Sequence, residues 1–176
     1  EELAEQGSLK GIKIYTGYQE IDLQSERLKQ IGWLAEQYRL PLMFHVGYSY
    51  TSLRTTGKVS IANLVTPEEI GQFAQEHPTV PMIMAHLGKP FLKEVIGVTV
   101  ANHNVYADMS GLIDSKFDQQ DRDECITDVR HFLQECGPDR LLFGTDFPIQ
   151  THEDAIYLIE ESMKEYTIDE KKKVYY

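Results

Sequence analysis

The sequence predicts an α/β fold that forms part of a TIM-type (β/α)8 barrel, and three observations lead to this prediction. Short, mainly apolar runs of strand length alternate five times with amphipathic helical stretches along the 176 residues. The runs recur about every 32 residues, so eight such units would need about 260 residues, a typical size for this barrel. No glycine-rich phosphate-binding turn follows any run, which disfavours a nucleotide-binding open sheet of similar strand spacing.

The five runs are the predicted strands. Most of them are mainly apolar, as strands that are covered on both faces must be. They comprise residues 11–15, 42–46, 82–86, 104–108 and 141–146. A strand followed by a helix, repeated along the chain, implies right-handed crossovers between parallel neighbours. We therefore expect one parallel sheet in which the carboxyl ends of all five strands lie at the same edge.

Helical patterns occupy the intervals between these strands. Residues 22–38 place five apolar side chains on one stripe, as a helix packed on a core requires. Thr66 opens the next helix, because it is followed by a proline in the first turn and by a glutamate three residues on. Further helices are predicted over residues 91–102, 121–135 and 153–166.

Both ends of the sequence also have helical character. Residues 1–6 have the pattern of a last helical turn that Gly7 closes, and Thr167 with Glu170 forms a capping box that opens a new helix. We therefore expect residues 1–176 to be the C-terminal portion of a single barrel domain. From the eight-unit count of such barrels, about three strand–helix units are expected to precede it.

Charge and cysteine content restrict the classes of partner. The formal net charge of -11 at pH 7 disfavours nucleic acid and anionic membranes, because both repel an acidic surface. No stretch approaches the roughly 18 apolar residues of a membrane span, and no signal peptide is visible. Cys125 and Cys136 favour a reduced, cytoplasmic protein, with a single disulfide as the alternative. The expected partner is a small-molecule substrate, and a homo-oligomer is left open.

Three of the predicted strands end in, or are closely followed by, a polar residue that can carry chemistry. These residues are His45, His86 and Asp146. Because parallel barrels build their active sites at the carboxyl ends of the strands, we expect the three side chains to converge. Two imidazoles and one carboxylate suit Zn²⁺ or a similar divalent ion, which would lower the pKa of a bound water to about 7. A lone histidine of this kind is more often a core residue, but three at one edge favour a site.

Four motifs, in this order and spacing, resemble those of the amidohydrolase-related family. The motifs are FHVG at residues 44–47, AHLG at 85–88, NVYADMSG at 104–111 and LFGTDFP at 142–148. That family includes metal-dependent hydrolases and the aminocarboxymuconate-semialdehyde decarboxylase type. The resemblance covers nearly the whole chain and implies that the five strands are about the fourth to the eighth of the barrel.

The resemblance also implies a role for each of the three polar residues. His45 resembles the family's fifth-strand metal ligand. Asp146 resembles the eighth-strand aspartate, a metal ligand that also handles the proton of the attacking water. His86 resembles the sixth-strand histidine, which is a ligand of the second metal in two-metal members and a general base or electrostatic stabiliser in one-metal members. The first-strand His-x-His pair of the family has no counterpart in this chain.

Lys13 and Tyr15 are the predicted substrate-binding residues. By strand alternation they share one face, while Ile12 and Ile14 share the other. If the isoleucines pack on helices, Lys13 points into the barrel, where its ammonium needs a partner. In some amidohydrolases a fourth-strand lysine is carbamylated and bridges two metals; here we expect contact with a substrate anion or an active-site carboxylate. An internal structural ion pair is the alternative.

The other polar candidates carry less weight. Asp108 either faces the pocket together with Tyr106 or satisfies local backbone groups. Tyrosines in the loops after strands either shape a substrate pocket or cover the barrel mouth; they are Tyr18, Tyr48 and Tyr50. The remaining histidines are expected to be structural or solvated, the last of them opening a helix; they are His77, His103, His131 and His152.

Together these observations favour a metal-dependent hydrolase of a small-molecule substrate. A divalent ion, expected to be Zn²⁺, would activate water against an amide, ester or related bond, with Asp146 accepting a proton. His86 would stabilise the developing oxyanion or act as a base. Two alternatives remain: a metal-dependent, non-oxidative decarboxylase on the same scaffold, and a non-catalytic α/β binding protein whose histidines are core residues. No Gly-x-Ser-x-Gly elbow supplies a serine nucleophile.

Overall fold

The computed structural model of the chain describes residues 2–16, 21–47, 65–113 and 117–175. Its helices in these ranges are α1 (Glu2–Glu5), α2 (Glu26–Tyr38), α3 (Pro67–Glu76), α4 (Leu92–Ala101), α5 (Gln119–Cys136), α6 (His152–Ser162) and α7 (Ile168–Tyr175). Its strands are β1 (Ile12–Ile14), β2 (Leu42–Phe44), β3 (Met82–Met84), β4 (Val105–Asp108) and β5 (Leu141–Leu142). None of the helices in this described part has the length and apolar composition needed to cross a membrane.

The five strands form one parallel sheet in the order in which they occur along the chain, β1-β2-β3-β4-β5. Met82 shows the register, because it pairs with Leu42 on one side and Val105 on the other. The last pair is held between Ala107 and Leu141. The prediction of five neighbouring parallel strands joined through helices is confirmed.

The two faces of the sheet differ in burial. On one face the side chains are almost fully buried and pack with helix residues in a single apolar core; they include Ile14, Phe44, Met84 and Ala107. The opposite face carries a row in register across four strands, and every member is only partly buried: Lys13, Met43, Ile83 and Tyr106. In a (β/α)8 barrel the face turned away from the helices is the interior. Lys13 therefore lies on the predicted face.

Side-chain caps define where several helices begin. Thr66 accepts a hydrogen bond from the Glu69 amide at 3.2 Å, and Glu69 accepts one from the Thr66 amide at 2.7 Å, as predicted. Thr167 and Glu170 form the same reciprocal pair at the start of α7. Helix α5 begins two residues before the predicted start, because Asp118 caps it. Such caps typically stabilise a helix by about 1 kcal/mol.

Four strands are shorter than predicted at their carboxyl ends, β3 and β5 among them. The strand prediction 82–86 is wrong after Met84, because His86 and Leu87 adopt φ values of 65° and 46°, outside the extended region. The prediction 141–146 is wrong after Leu142, because the Phe143 amide donates to the carbonyl of Val174 in α7 at 2.9 Å. The chain therefore leaves the sheet at these ends and forms turns above it.

Candidate active site

The carboxyl edge of the sheet brings the three predicted site residues together. His45 directly follows β2, His86 lies in the turn after β3, and Asp146 lies in the turn after β5. The Nδ1 atom of His45 is 3.1 Å from the Nε2 atom of His86, and their ring centroids are 4.9 Å apart. Asp146 lies on the other side of the His86 ring: its Oδ2 and the Nδ1 of His86 each lie 3.3 Å from the position of a Cβ on Gly111.

His45 is held by the strand before it and by a close approach of two turns. Its amide donates to the carbonyl of Ile14 at 3.0 Å, and its own carbonyl accepts from the hydroxyl of Thr16. Gly47 has a φ of 102°, and a Cβ there would stand 2.0 Å from the carbonyl oxygen of Lys89. Only glycine can adopt this φ and also leave room for that carbonyl oxygen. The glycine two residues after His45 therefore lets the turn after β2 pack on the turn after β3.

His86 lies in a left-handed turn. Its φ of 65° is unusual for a residue with a side chain and costs about 1 to 2 kcal/mol. The backbone N–H of His86 donates to the Oδ1 atom of Asp108 at 2.9 Å, which helps to hold this conformation. The turn ends β3 and carries the imidazole to His45.

Asp108 and Ser110 surround the other side of the His86 ring. Oδ1 of the buried Asp108 accepts three hydrogen bonds: from the His86 amide, from the Ser110 amide at 3.0 Å and from the Ser110 hydroxyl at 2.6 Å. The carbonyl oxygen and the Oγ of Ser110 lie 2.8 Å and 3.1 Å from Nδ1 of His86. Of the two roles considered for Asp108, the structure shows the backbone-satisfying one.

Asp146 is exposed and also has a positive φ, 55°. Its carbonyl accepts from the Ile149 amide at 2.9 Å, and the preceding Thr145 carbonyl accepts from the Gly111 amide at 3.2 Å. These two bonds close the turn after β5 and join it to the turn after β4. The Asp146 carboxylate is thus placed over Gly111, beside His86.

Lys13 and Tyr15 extend from β1 toward the inner face. The Lys13 ammonium lies 3.3 Å from the sulfur of Met43 and 5.6 Å from the ring centroid of Tyr15. About half of Tyr15 is exposed. Their part in binding substrate stays a prediction. The tyrosines predicted to line a pocket, Tyr18, Tyr48 and Tyr50, lie outside the described residues.

His77 is structural. It is almost fully buried at the end of α3, and its Nδ1 lies 3.4 Å from a carboxylate oxygen of Glu36. A Cβ on Gly32 would stand 2.3 Å from its ring, so the glycine on α2 makes room for the imidazole. The other histidines follow the prediction by being exposed or by opening α6; they are His103, His131 and His152.

The two cysteines are free thiols, so the disulfide alternative is wrong. Burial raises the pKa of Cys136 to about 11 and also raises the pKa of Cys125. A raised pKa keeps a thiol protonated at neutral pH, and the thiolate is the nucleophilic form. Neither cysteine is therefore activated for nucleophilic catalysis.

The donor atoms at the sheet edge suit a divalent ion in chemistry but are incomplete in number. Imidazole nitrogen and carboxylate oxygen are common ligands of Zn²⁺, which takes three protein ligands in a catalytic site. Within the described ranges, no group of three or more His, Cys, Asp and Glu side chains could by itself hold a metal ion. His45 and Asp146 therefore fit as part of a ligand set, and a complete set needs further donors.

A family model described as Amidohydrolase matches residues 1–176. No protein with a curated description is similar enough to be matched. Among solved structures, the chain is similar to an amidohydrolase from Burkholderia multivorans with bound zinc. The two share 17% identity with a TM-score of 0.71, over 99% of this chain and 66% of that one.

Two further solved structures show the same fold. An uncharacterized TIM-barrel protein from Bordetella bronchiseptica has 17% identity and a TM-score of 0.62, over 98% of this chain and 59% of its own. A 5-carboxyvanillate decarboxylase from Sphingomonas paucimobilis has 16% identity and a TM-score of 0.64, over 98% and 58%. The chain spans about two thirds or less of each of these proteins. The predicted fold, part of a TIM-type barrel, is confirmed.

Proposed function

We propose, because the chain belongs to the amidohydrolase family, that it carries part of the active site of a metal-dependent hydrolase acting on a small molecule. The observation that supports this most directly is the position of His45 and Asp146 on either side of His86 at the carboxyl edge of a parallel sheet. Active sites of parallel barrels lie at this edge. The three side chains follow separate strands, and His86 and Asp146 both have a positive φ in their turns.

In this proposal His45 and Asp146 hold the ion together with donors outside the described residues. A divalent ion, when bound, supplies a nucleophile at neutral pH because it lowers the pKa of water to about 7. Zn²⁺ is the expected ion, and the Burkholderia multivorans relative contains zinc. The exposed carboxylate of Asp146 accepts the proton of the attacking water. His86, fixed by Asp108 and Ser110, is proposed to act as a base or, once protonated, to stabilise the developing negative charge.

Lys13 is proposed to bind an anionic group of the substrate. It lies on the inner face of β1, where its ammonium contacts a thioether sulfur, a weak acceptor that leaves most of its charge available. Tyr15 lies beside it and would line the same part of the pocket. A carboxylate-bearing small molecule is therefore the substrate class that this face favours.

Decarboxylation is the second candidate reaction. One similar solved structure is that of a 5-carboxyvanillate decarboxylase, and a carboxylate in the substrate suits the proposed role of Lys13. The two reactions differ in their products, since only hydrolysis adds an oxygen from solvent to the product. Turnover in ¹⁸O-labelled water followed by mass spectrometry separates them, as only decarboxylation releases CO₂ and leaves the organic product unlabelled.

Substitution of the site residues in the full-length protein tests the proposal. Asp146→Asn keeps the side-chain shape but removes the charge, so it should nearly abolish turnover. His86→Ala should lower the rate by about 100- to 10,000-fold, the usual effect of losing a general acid or base. With excess divalent ion present, His86→Ala should leave the metal content, measured by elemental mass spectrometry, unchanged if the site holds one ion and should lower it if the site holds two.

His131→Ala is the matched control, because it removes an exposed imidazole on α5 that is not among the candidate site residues. It should change neither the turnover rate nor the metal content. Full activity after chelation, or in Asp146→Asn, would refute the proposal. No turnover in the metal-loaded, unsubstituted protein would instead favour the non-catalytic binding-protein alternative.

A further inference from the structure

We propose that Asp108 and Ser110 are positioning residues that set the proton positions on both active-site imidazoles, so that His45 presents its Nε2 lone pair to the ion. The inference rests on the proposed function for the identity of the site. Its evidence is a continuous set of short contacts that runs from Asp108 through Ser110 and His86 to His45.

The first contact fixes the proton of the Ser110 hydroxyl. An ionised carboxylate can only accept hydrogen bonds, so the 2.6 Å contact between Oγ of Ser110 and Oδ1 of Asp108 must use the hydroxyl proton. A hydroxyl has one proton to donate. Toward His86, the Oγ atom of Ser110 is therefore an acceptor only.

The second contact fixes the tautomer of His86. Its Nδ1 atom faces the carbonyl oxygen of Ser110 at 2.8 Å and the Oγ atom at 3.1 Å. Both of these oxygens accept, so the proton must be on Nδ1. In a neutral imidazole the other nitrogen then carries a lone pair. His86 consequently directs a bare Nε2 toward its neighbour.

The third contact determines which ring nitrogen of His45 carries the proton. Nε2 of His86 lies 3.1 Å from Nδ1 of His45, and a hydrogen bond between them needs one proton. Since Nε2 of His86 has none, His45 must supply it from Nδ1. The Nε2 atom of His45 is then the lone-pair nitrogen, and a neutral imidazole needs such a nitrogen to bind a metal. With its proton on Nε2, His86 would instead donate to Nδ1 of His45. The proton of His45 would then lie on Nε2, the nitrogen proposed to bind the ion.

Asp108 is therefore important although none of its hydrogen bonds among the described residues is to the side chain of His45 or Asp146. The same oxygen that takes the Ser110 proton also accepts from the His86 amide at 2.9 Å, so one carboxylate sets both the turn and the tautomer. Asp108→Asn weakens the acceptor and frees the Ser110 hydroxyl to turn and donate to Nδ1 of His86. Ser110→Ala removes that hydroxyl but keeps the main-chain carbonyl.

The test uses full-length protein with ¹⁵N-labelled histidine, studied at about pH 8.5, where free imidazole is neutral. Long-range ¹H–¹⁵N spectra identify which ring nitrogen carries the proton, and His45→Gln and His86→Gln assign the signals. We expect the Nδ1–H tautomer for both rings. Added Zn²⁺ should shift the Nε2 signal of His45 while His86 keeps its proton on Nδ1.

The variants give a pattern that a purely structural role would not produce. Asp108→Asn should raise the Nε2–H population of His86 by about tenfold, the effect of losing one hydrogen bond to a charged group. Ser110→Ala should leave the tautomer unchanged, and the double variant should return to the Nδ1–H form. The control is Ser162→Ala, which removes another buried hydroxyl, one with no hydrogen-bond partner among the described residues.

The outcomes also separate this inference from the proposed function. The Nε2–H or doubly protonated form of His86 in the unsubstituted protein would overturn the inference, even if Zn²⁺ binds and substrate is turned over. An Asp108→Asn spectrum identical to that of the unsubstituted protein would also overturn it. The expected tautomers in a protein that binds no divalent ion would support the positioning network and refute the metal-dependent activity.

Discussion

Gly111 lies beside the side chains of Asp146 and His86, two of the candidate site residues. Its φ is 65°, and a Cβ there would stand 3.3 Å from both Oδ2 of Asp146 and Nδ1 of His86. These distances are tighter than ordinary van der Waals contact, so an added methyl group would push one of the two side chains aside. At this position glycine serves both the backbone conformation and the packing of the site.

Gly111→Ala should therefore reduce activity by more than its effect on stability explains. The positive φ should cost about 1 kcal/mol of unfolding free energy, and the displaced side chains should lower kcat/KM at least about tenfold, as small misplacements of catalytic groups do. Gly7→Ala is the matched control, because Gly7 has a φ of 66° with nothing within 4 Å of its added Cβ. It should show the stability loss alone; equal kcat/KM values in the two variants would contradict the prediction.

The sequence predicted the three main site residues because each is a polar residue at or just after the end of an apolar run. It left Asp108 undecided and did not identify Ser110. The reason is physical: the decisive hydrogen bond joins Asp108 to the amide of a residue 22 positions earlier, and no local pattern encodes such a contact. The alternative that Asp108 satisfies local backbone groups covered only the bond from the amide two residues on.

At the scale of elements, α5 and α6 are joined by an ion pair at the start of α6. Arg122 donates to Oδ1 of Asp154 at 2.9 Å, and the Thr151 hydroxyl donates to the other carboxylate oxygen at the same distance. The hydrogen bond from Arg122 holds the pKa of Asp154 below its usual 3.8. Both side chains of the pair are mostly buried, which reduces screening by solvent.

Asp154→Asn should destabilise the protein by about 1 kcal/mol at neutral pH, because it removes the ion pair and weakens the cap. The pKa of Asp154 is lower in the folded protein than in the unfolded chain, where it is about 3.9, so the ionised side chain stabilises the fold above that pH. This stabilisation is lost as the pH falls through the lower pKa of the folded state. The difference in unfolding free energy between the two proteins should therefore be full above about pH 4 and decrease below it.

Denaturant unfolding at several pH values measures this difference. Asp169→Asn is the control, because Asp169 forms a pair with Lys172 on the surface of α7 and its side chain is 90% exposed. It should have no measurable effect at any pH. A pH-independent loss in Asp154→Asn would show that only the cap, and not the ion pair, contributes.

Helices were easier to predict from the sequence than the ends of strands. Capping residues such as Thr66 and Thr167 act within three residues, so their patterns are local. The end of β5 depends instead on a hydrogen bond from Phe143 to Val174, more than thirty residues away. The end of β3 depends on the left-handed turn at His86, which a bond to Asp108 supports. Strand order and direction were still predictable, since alternating strands and helices leave few topologies.

At the scale of the whole molecule, the partly buried inner face bears on the proposal that residues 1–176 are the C-terminal portion of one barrel domain. The interior of a TIM-type barrel is filled by layers of side chains and excludes solvent. Ile83 lies in the middle of the inner row and is only partly buried by the described residues. A closed barrel would cover it completely.

Ile83→Cys in the full-length protein should consequently react with a thiol reagent at least about tenfold more slowly than Val100→Cys. Val100 lies on α4 and is 62% exposed, which makes it the fast reference. The fully buried Cys125 provides the slow reference within the same molecule. Labelling of Ile83→Cys as fast as that of Val100→Cys would mean that the inner face stays open to solvent, against the single-barrel proposal.

The order of the strands has a consequence for how the protein is made. Each strand pairs with the strand that directly precedes it along the chain, from β1 to β5. A strand that leaves the ribosome therefore finds its partner already synthesised, and domains fold during synthesis from the amino-terminal side. Because the contacts join neighbouring units, loop-closure costs stay modest at every step. The sheet can grow at one edge, one strand–helix unit at a time, while the rest of the chain is still being translated.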